Sequence, residues 1–175
     1  MTSSVLVCTN GTQTRDLTIV SLALSSVALF CLLLIGTISM QAKIDQEKKK
    51  ALSGLLSLLA VGCVLGVGIV NALIAFDKIG LSTKKTVNLN TTYLVKTNKV
   101  HAIKDLAITN MVLSFIAVIA GVYIISYSMK PFRMMYADDV FKALQVYVLL
   151  YAVVTVSLSG ANMANFEKHP HAPKK

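Results

Sequence analysis

Apolar residues gather in four long blocks, at about 17–40, 51–76, 108–129 and 140–166, with short polar stretches between them. About 20 helical residues cross a hydrocarbon layer roughly 30 Å thick, so each block is long enough to span a bilayer. Inside lipid the backbone must satisfy its own polar groups, and continuous apolar runs do so as helices. The alternating ten-residue segments of a transmembrane β-barrel are absent. The pattern therefore predicts an all-α integral membrane protein. It has four transmembrane helices in an antiparallel bundle and one longer, partly β-prone loop between the second and third.

The stretches between blocks sharpen that expectation. Residues 1–16 form a polar, Ser/Thr-rich tail that reads as extended. The first block is longer than the core of a secretory signal, so it reads as a retained span. The 41–50 connector is short and charged, and Asp45 is placed to cap the second helix. Residues 77–107 form the one sizeable loop. Its Val87, Leu89, Thr91, Tyr93 and Val95 alternate with polar residues, which predicts one or two short strands. In the 130–139 connector Pro131 ends the third helix, and Asp138 or Asp139 caps the fourth. Phe132, Met134, Met135 and Tyr136 are apolar enough to lie at the headgroups. The 167–175 tail, with Pro170 and Pro173, reads as flexible.

Lipid tails are as apolar as leucine, so helix association must come from close packing of small residues and from buried polar contacts. In the second block Gly62 and Gly66 form a GxxxG pair. In the third, Asn110, Ser114, Ala117 and Gly121 share one face, with Ile124 and Ser128 continuing it. Ser21, Ser25, Ala28 and Ser39 do the same in the first block, and Ala143, Ser157, Ala161 and Ala164 in the fourth. These small faces are expected to point inward. Asn71 and Asn110 lie close to the long loop, and a side-chain amide contact between them, or to backbone, would clamp the second helix to the third. Asn162 and Asn165, near the exit of the last block, read as interfacial.

Composition agrees with a membrane chain. Of 175 residues, 55% are hydrophobic and 14% charged, below the roughly 25% charged of a soluble domain. Mean hydropathy is +0.68. The net charge of +9 sits between the apolar blocks and forms no long basic face, which argues against a nucleic-acid partner. Lys48, Lys49, Lys50, Lys130 and Arg133 are instead placed to meet lipid headgroups or another protein. Their density in the short connectors puts those connectors in the cytoplasm, with the termini and the 77–107 loop outside or lumenal. Two N-glycosylation sequons, at Asn10 and Asn90, fall on that outer side. Phe76 and Phe166 end spans there, while Tyr127, Phe132, Tyr136 and Phe141 gather at the other interface.

The apolar blocks carry no Asp, Glu or His at mid-depth, where such groups mark proton relays, ion paths or catalysis. Cys8, Cys31 and Cys63 lack metal-ligand spacing, and His101, His169 and His171 are better read as solvated. No phosphate-binding glycine loop follows a strand. No catalytic, cofactor or metal site and no small-molecule substrate is therefore expected. The expected role is a non-enzymatic structural or assembly subunit that anchors a larger protein complex in a membrane. A protein linking an internal membrane to the capsid of a large DNA virus, or a small subunit of an organellar membrane complex, would have this make-up. The alternative is a subunit of an oligomeric channel or transporter.

Overall fold

The computed structural model describes residues 8–76, 93–128 and 138–168. In chain order these form β1 (Cys8–Asn10), α1 (Thr12–Met40), α2 (Gln46–Ala75), β2 (Tyr93–Lys96), α3 (Thr97–Ser128), α4 (Asp138–Met163) and β3 (Glu167–Lys168). The fold is all-helical apart from these three short strands, and all four helices are long and apolar enough to cross a membrane. At 1.5 Å per residue they run about 39–48 Å, longer than a hydrocarbon layer is thick. α1, α2 and α3 begin ahead of their apolar blocks, whereas α4 ends at Met163, short of the end of its own. Lys130, Arg133, Pro131 and the aromatic residues of the second connector lie outside the described residues, as do Asn90 and the 77–92 part of the long loop.

The helices pack in a ring, α1 on α2, α2 on α3, α3 on α4 and α4 back on α1. Between α1 and α2, Ser21 meets Asn71 and Leu24 meets Gly66.

The 77–107 segment departs from its reading as loop, because α3 begins at Thr97. Lys99, His101, Lys104 and Asp105 give this stretch the polarity of a loop, yet Val100, Ile103 and Ala107 recur at helical spacing. Ile103 and Ala107 are fully buried beside Ile74, Ala75 and Val95, with Leu17, Val100 and Phe166 packed around them. That cluster seats the sheet on the helices. β2 is the central strand, antiparallel to both neighbours, with Thr9 opposite Val95 and Leu94 opposite Glu167. The sheet gathers the start of α1, the start of α3 and the end of α4 at one end of the molecule.

Local contacts lock this cap to α1. The Gly11 N–H donates to the Tyr93 carbonyl (3.1 Å), and the Tyr93 N–H donates to Thr12 Oγ1 (3.3 Å). The Arg15 guanidinium lies 3.7 Å from the Tyr93 ring centroid and 3.7 Å from Asp16 Oδ1. Gly11 must be small, because a Cβ there would stand 2.5 Å from Val95 Cγ2 and 3.2 Å from Phe166. Phe166 is thus held in the cap cluster and is not a free interfacial anchor. At the far end Tyr127 stacks on Phe141, ring centroids 4.1 Å apart, joining the end of α3 to the start of α4. Asp45 occupies the N-cap position of α2, but its side chain makes no capping hydrogen bond.

Many buried positions hold alanines, small hydroxyls and asparagines, beside aliphatic residues such as Val67, Ile74 and Ile103, while Phe30, Leu33, Leu55, Leu58, Ile119 and Leu150 are at least 59% exposed. Soluble proteins rarely expose a continuous apolar surface on this scale.

Candidate functional site

The buried polar side chains converge into one seam inside the helix ring. From α2, Asn71 Nδ2 donates to Ser21 Oγ of α1 (2.8 Å) and back to its own Val67 carbonyl (2.8 Å). Ser21 Oγ lies 3.1 Å from Ser159 Oγ of α4. From α3, Asn110 Nδ2 donates to Ser159 Oγ (3.1 Å), and Thr155 Oγ1 of α4 donates to Asn110 Oδ1 (2.6 Å). All four helices are therefore joined through three hydroxyls and two amides. The expected direct contact between Asn71 and Asn110 is not made. Ser21 of α1 and Ser159 of α4 stand between them.

The seam continues toward the connectors. Ser114 Oγ donates to the Asn110 carbonyl (2.6 Å) and lies 2.6 Å from Tyr151 Oη. The single serine proton is used on the carbonyl, so Tyr151 is the donor in the second contact. Tyr147 Oη donates to the Leu113 carbonyl at 2.9 Å. Toward the cap, Asn162 Nδ2 donates weakly to the Ile103 carbonyl (3.4 Å), and its buried Oδ1 has no hydrogen-bond partner. Asn162 is thus an interior residue of the bundle, where the sequence placed it at the interface.

The residues expected to pack helices fall as follows. Asn71, Asn110, Ser114 and Ala117 are buried. A Cβ on Gly66 would stand 2.9 Å from Leu24 Cδ1, and one on Gly121 would stand 2.7 Å from Val61 Cγ2, so both glycines admit a neighbouring helix. Gly62 does not, because it is exposed and nothing lies within 4 Å of where its Cβ would be. The second close glycine of α2 is Gly68, which faces Ser114 and Phe115 of α3. Residues 66 and 68 point to different neighbours, whereas a GxxxG pair would share one.

In α4 the expected inward face is wrong. Ala143, Ser157, Ala161 and Ala164 are exposed, while Tyr151, Ala152, Thr155, Ser159 and Asn162 are buried. Ser39 of α1 is likewise exposed and bonds its own Ile35 carbonyl (2.8 Å). Lys48 and Lys50 are exposed and Lys49 is half-buried. Asn10 lies in β1 opposite Leu94.

The seam is built from neutral amides and hydroxyls, and most of its hydrogen bonds run between helices. Such a set can fix register between helices but offers no acid–base pair for proton transfer. Among the described residues no three His, Cys, Asp or Glu side chains converge. No protein-family model matches the chain, and no curated protein or solved structure matches it.

Proposed function

We propose that the chain is a multi-pass integral membrane protein whose four helices form an antiparallel bundle, and that it acts as a non-enzymatic structural subunit of a larger membrane-bound assembly. One observation carries the membrane reading: bulky apolar side chains such as Phe30, Leu55, Ile119 and Leu150 cover the outside of all four helices, while small and polar side chains share the interior with a few aliphatic ones. In water that arrangement would expose the residues most costly to hydrate. In lipid the same surface costs nothing, and the buried seam supplies the contacts that apolar burial cannot. The pairings of Ser21 with Asn71 and of Leu24 with Gly66 support opposite directions for α1 and α2.

The structural role is supported by what surrounds the bundle. The three-stranded cap has β1 and β3 as its outer strands, and an outer strand suits strand addition by another protein. The opposite end carries the basic connectors, which suit anionic headgroups or an acidic partner surface. In this reading the cap, both termini and the long loop are outside or lumenal, and the connectors are cytoplasmic.

Two measurements test the proposal. The chain should stay with membranes after alkaline carbonate washing and require detergent for solubility. Extracted gently and weighed intact, it should travel in fixed stoichiometry with larger partners. A lone monodisperse chain would refute the structural role, and ion flux through liposomes holding the purified protein would replace it with the channel reading.

A further inference from the structure

We infer that the interior of the bundle holds a binding site for one small apolar molecule of one or two heavy atoms, the class of dioxygen and xenon. The site is a cavity of ≈ 70 Å³ in the half of the bundle toward the connectors, bounded by all four helices. Each helix brings one buried alanine to its wall: Ala28 of α1, Ala60 of α2, Ala117 of α3 and Ala152 of α4, none more than 6% exposed. Nearer the cap, Ser21, Asn71, Asn110 and Ser159 fill the interior with hydrogen bonds. The four methyl groups are shorter and leave the space between them open.

The wall selects against water. Two hydroxyls reach it, and both protons are used within the protein: Ser57 Oγ donates to the Ser53 carbonyl (2.7 Å), and Tyr151 Oη donates to Ser114 Oγ (2.6 Å). The other lining side chains are hydrocarbon. An interior water needs roughly two to four polar partners, and apolar cavities without them stay dry.

The volume selects for size. An apolar cavity of about 150 Å³ takes benzene or xenon. One about half as large excludes a ring or an acyl chain but still admits a single small guest. Such a guest restores the dispersion contacts that side chains lining a void lack. It needs no standing channel, because packed side chains change rotamer and let so small a body pass. Apolar solutes leave water for hydrocarbon, so a bilayer concentrates them around the helices. That supply rests on the membrane reading above, whereas the cavity itself does not.

Xenon is the probe. The full chain, in detergent micelles and with labelled valine and leucine methyl groups, is titrated with xenon under pressure and followed by NMR. The methyl signals of Val61 and Val64, which line the cavity, should shift and then saturate. Those of Leu55 and Leu150, at least 63% exposed, should shift in proportion to pressure, as xenon dissolves in the surrounding detergent. Ala60→Leu fills the cavity and should remove the saturating shift at Val64. Val148→Ala enlarges it and should make saturation occur at lower pressure, while the outward Leu150→Ala should leave the saturation pressure unchanged. If Ala60→Leu does not fold, the comparison of Val148→Ala with Leu150→Ala decides alone. A proportional response at Val61 and Val64, a saturating shift that survives in folded Ala60→Leu, equal effects of Val148→Ala and Leu150→Ala, or magnetisation transfer from a held water to the Val64 methyls overturns the site. A chain that needs detergent yet shows no saturation refutes this site only. One soluble without detergent refutes the membrane reading, and the same titration in water then decides the cavity.

Discussion

A serine can hide its hydroxyl on its own helix, and an asparagine cannot hide its whole amide. Ser26, Ser39 and Ser157 all point outward, and each donates to the carbonyl four residues earlier, at 2.7, 2.8 and 2.9 Å. An asparagine has two donors and a two-site acceptor, so one backbone bond leaves it unsatisfied. Asn71 shows this, spending one contact on Val67 and another on Ser21. For that reason Asn71 and Asn110 were legible as interior residues, while serines and alanines were not. Ser157 reads from sequence like Ser159, yet one faces outward and the other joins Asn110 to Ser21. Thr155 and Ser159 could have been found by spacing from Asn162, since positions 155, 159 and 162 follow one helix face. We predict that Asn110→Ala, which removes the bonds to Ser159 and Thr155, destabilises the bundle by about 1–2 kcal/mol, at about 0.6 kcal/mol for an average contact of this kind. Ser157→Ala should change stability by less than about 0.5 kcal/mol. Unfolding by graded sodium dodecyl sulfate in mixed micelles measures both.

The existence of each helix was readable from its apolar block, because length and continuity alone decide it. Which face turns inward was less readable, because hydrophobicity carries no inward signal when the surroundings are hydrocarbon. Small size is a weaker guide: Gly121 receives Val61, but Gly62 receives nothing. Gly121→Val should overpack the α2–α3 contact and cost about 1–3 kcal/mol, since the valine it meets is stiff at χ1. Gly62→Ala should be neutral or slightly stabilising, and the same detergent titration distinguishes the two. Helix direction can be tested chemically. With Cys8, Cys31 and Cys63 replaced by serine or alanine, the pair Leu24→Cys and Gly66→Cys should form a disulfide on mild oxidation. Leu24→Cys with Gly54→Cys should not, because Gly54 is exposed with nothing within 4 Å of its Cβ position. Equal cross-linking of both pairs would contradict the packing of α1 on α2.

At the scale of the molecule the two ends of the bundle are built differently. The cap end holds the three strands, the apolar cluster of Ile74, Val95, Ile103 and Ala107, and below them the asparagine seam. The connector end holds the ring stack of Tyr127 on Phe141 and the cavity. Little of the cap was legible, because its strands are two to four residues long and pair segments far apart in the chain. Alternation around Tyr93 and Val95 marked β2, but no local pattern marks Glu167 and Lys168 as its partner. The start of α3 was hidden by its charges for the same reason, since Val100, Ile103 and Ala107 gain meaning only once the cap covers them. Gly11 links these parts, lying where strand turns into helix against both Val95 and Phe166. Gly11→Ala forces a methyl group into that contact, and Val95 is fully buried with no room to withdraw. The variant should expose the backbone of β2 to hydrogen exchange while the amides around Asn110 keep their protection, because the seam has its own bonds to all four helices. Loss of protection in both regions together would mean that cap and bundle unfold as one unit.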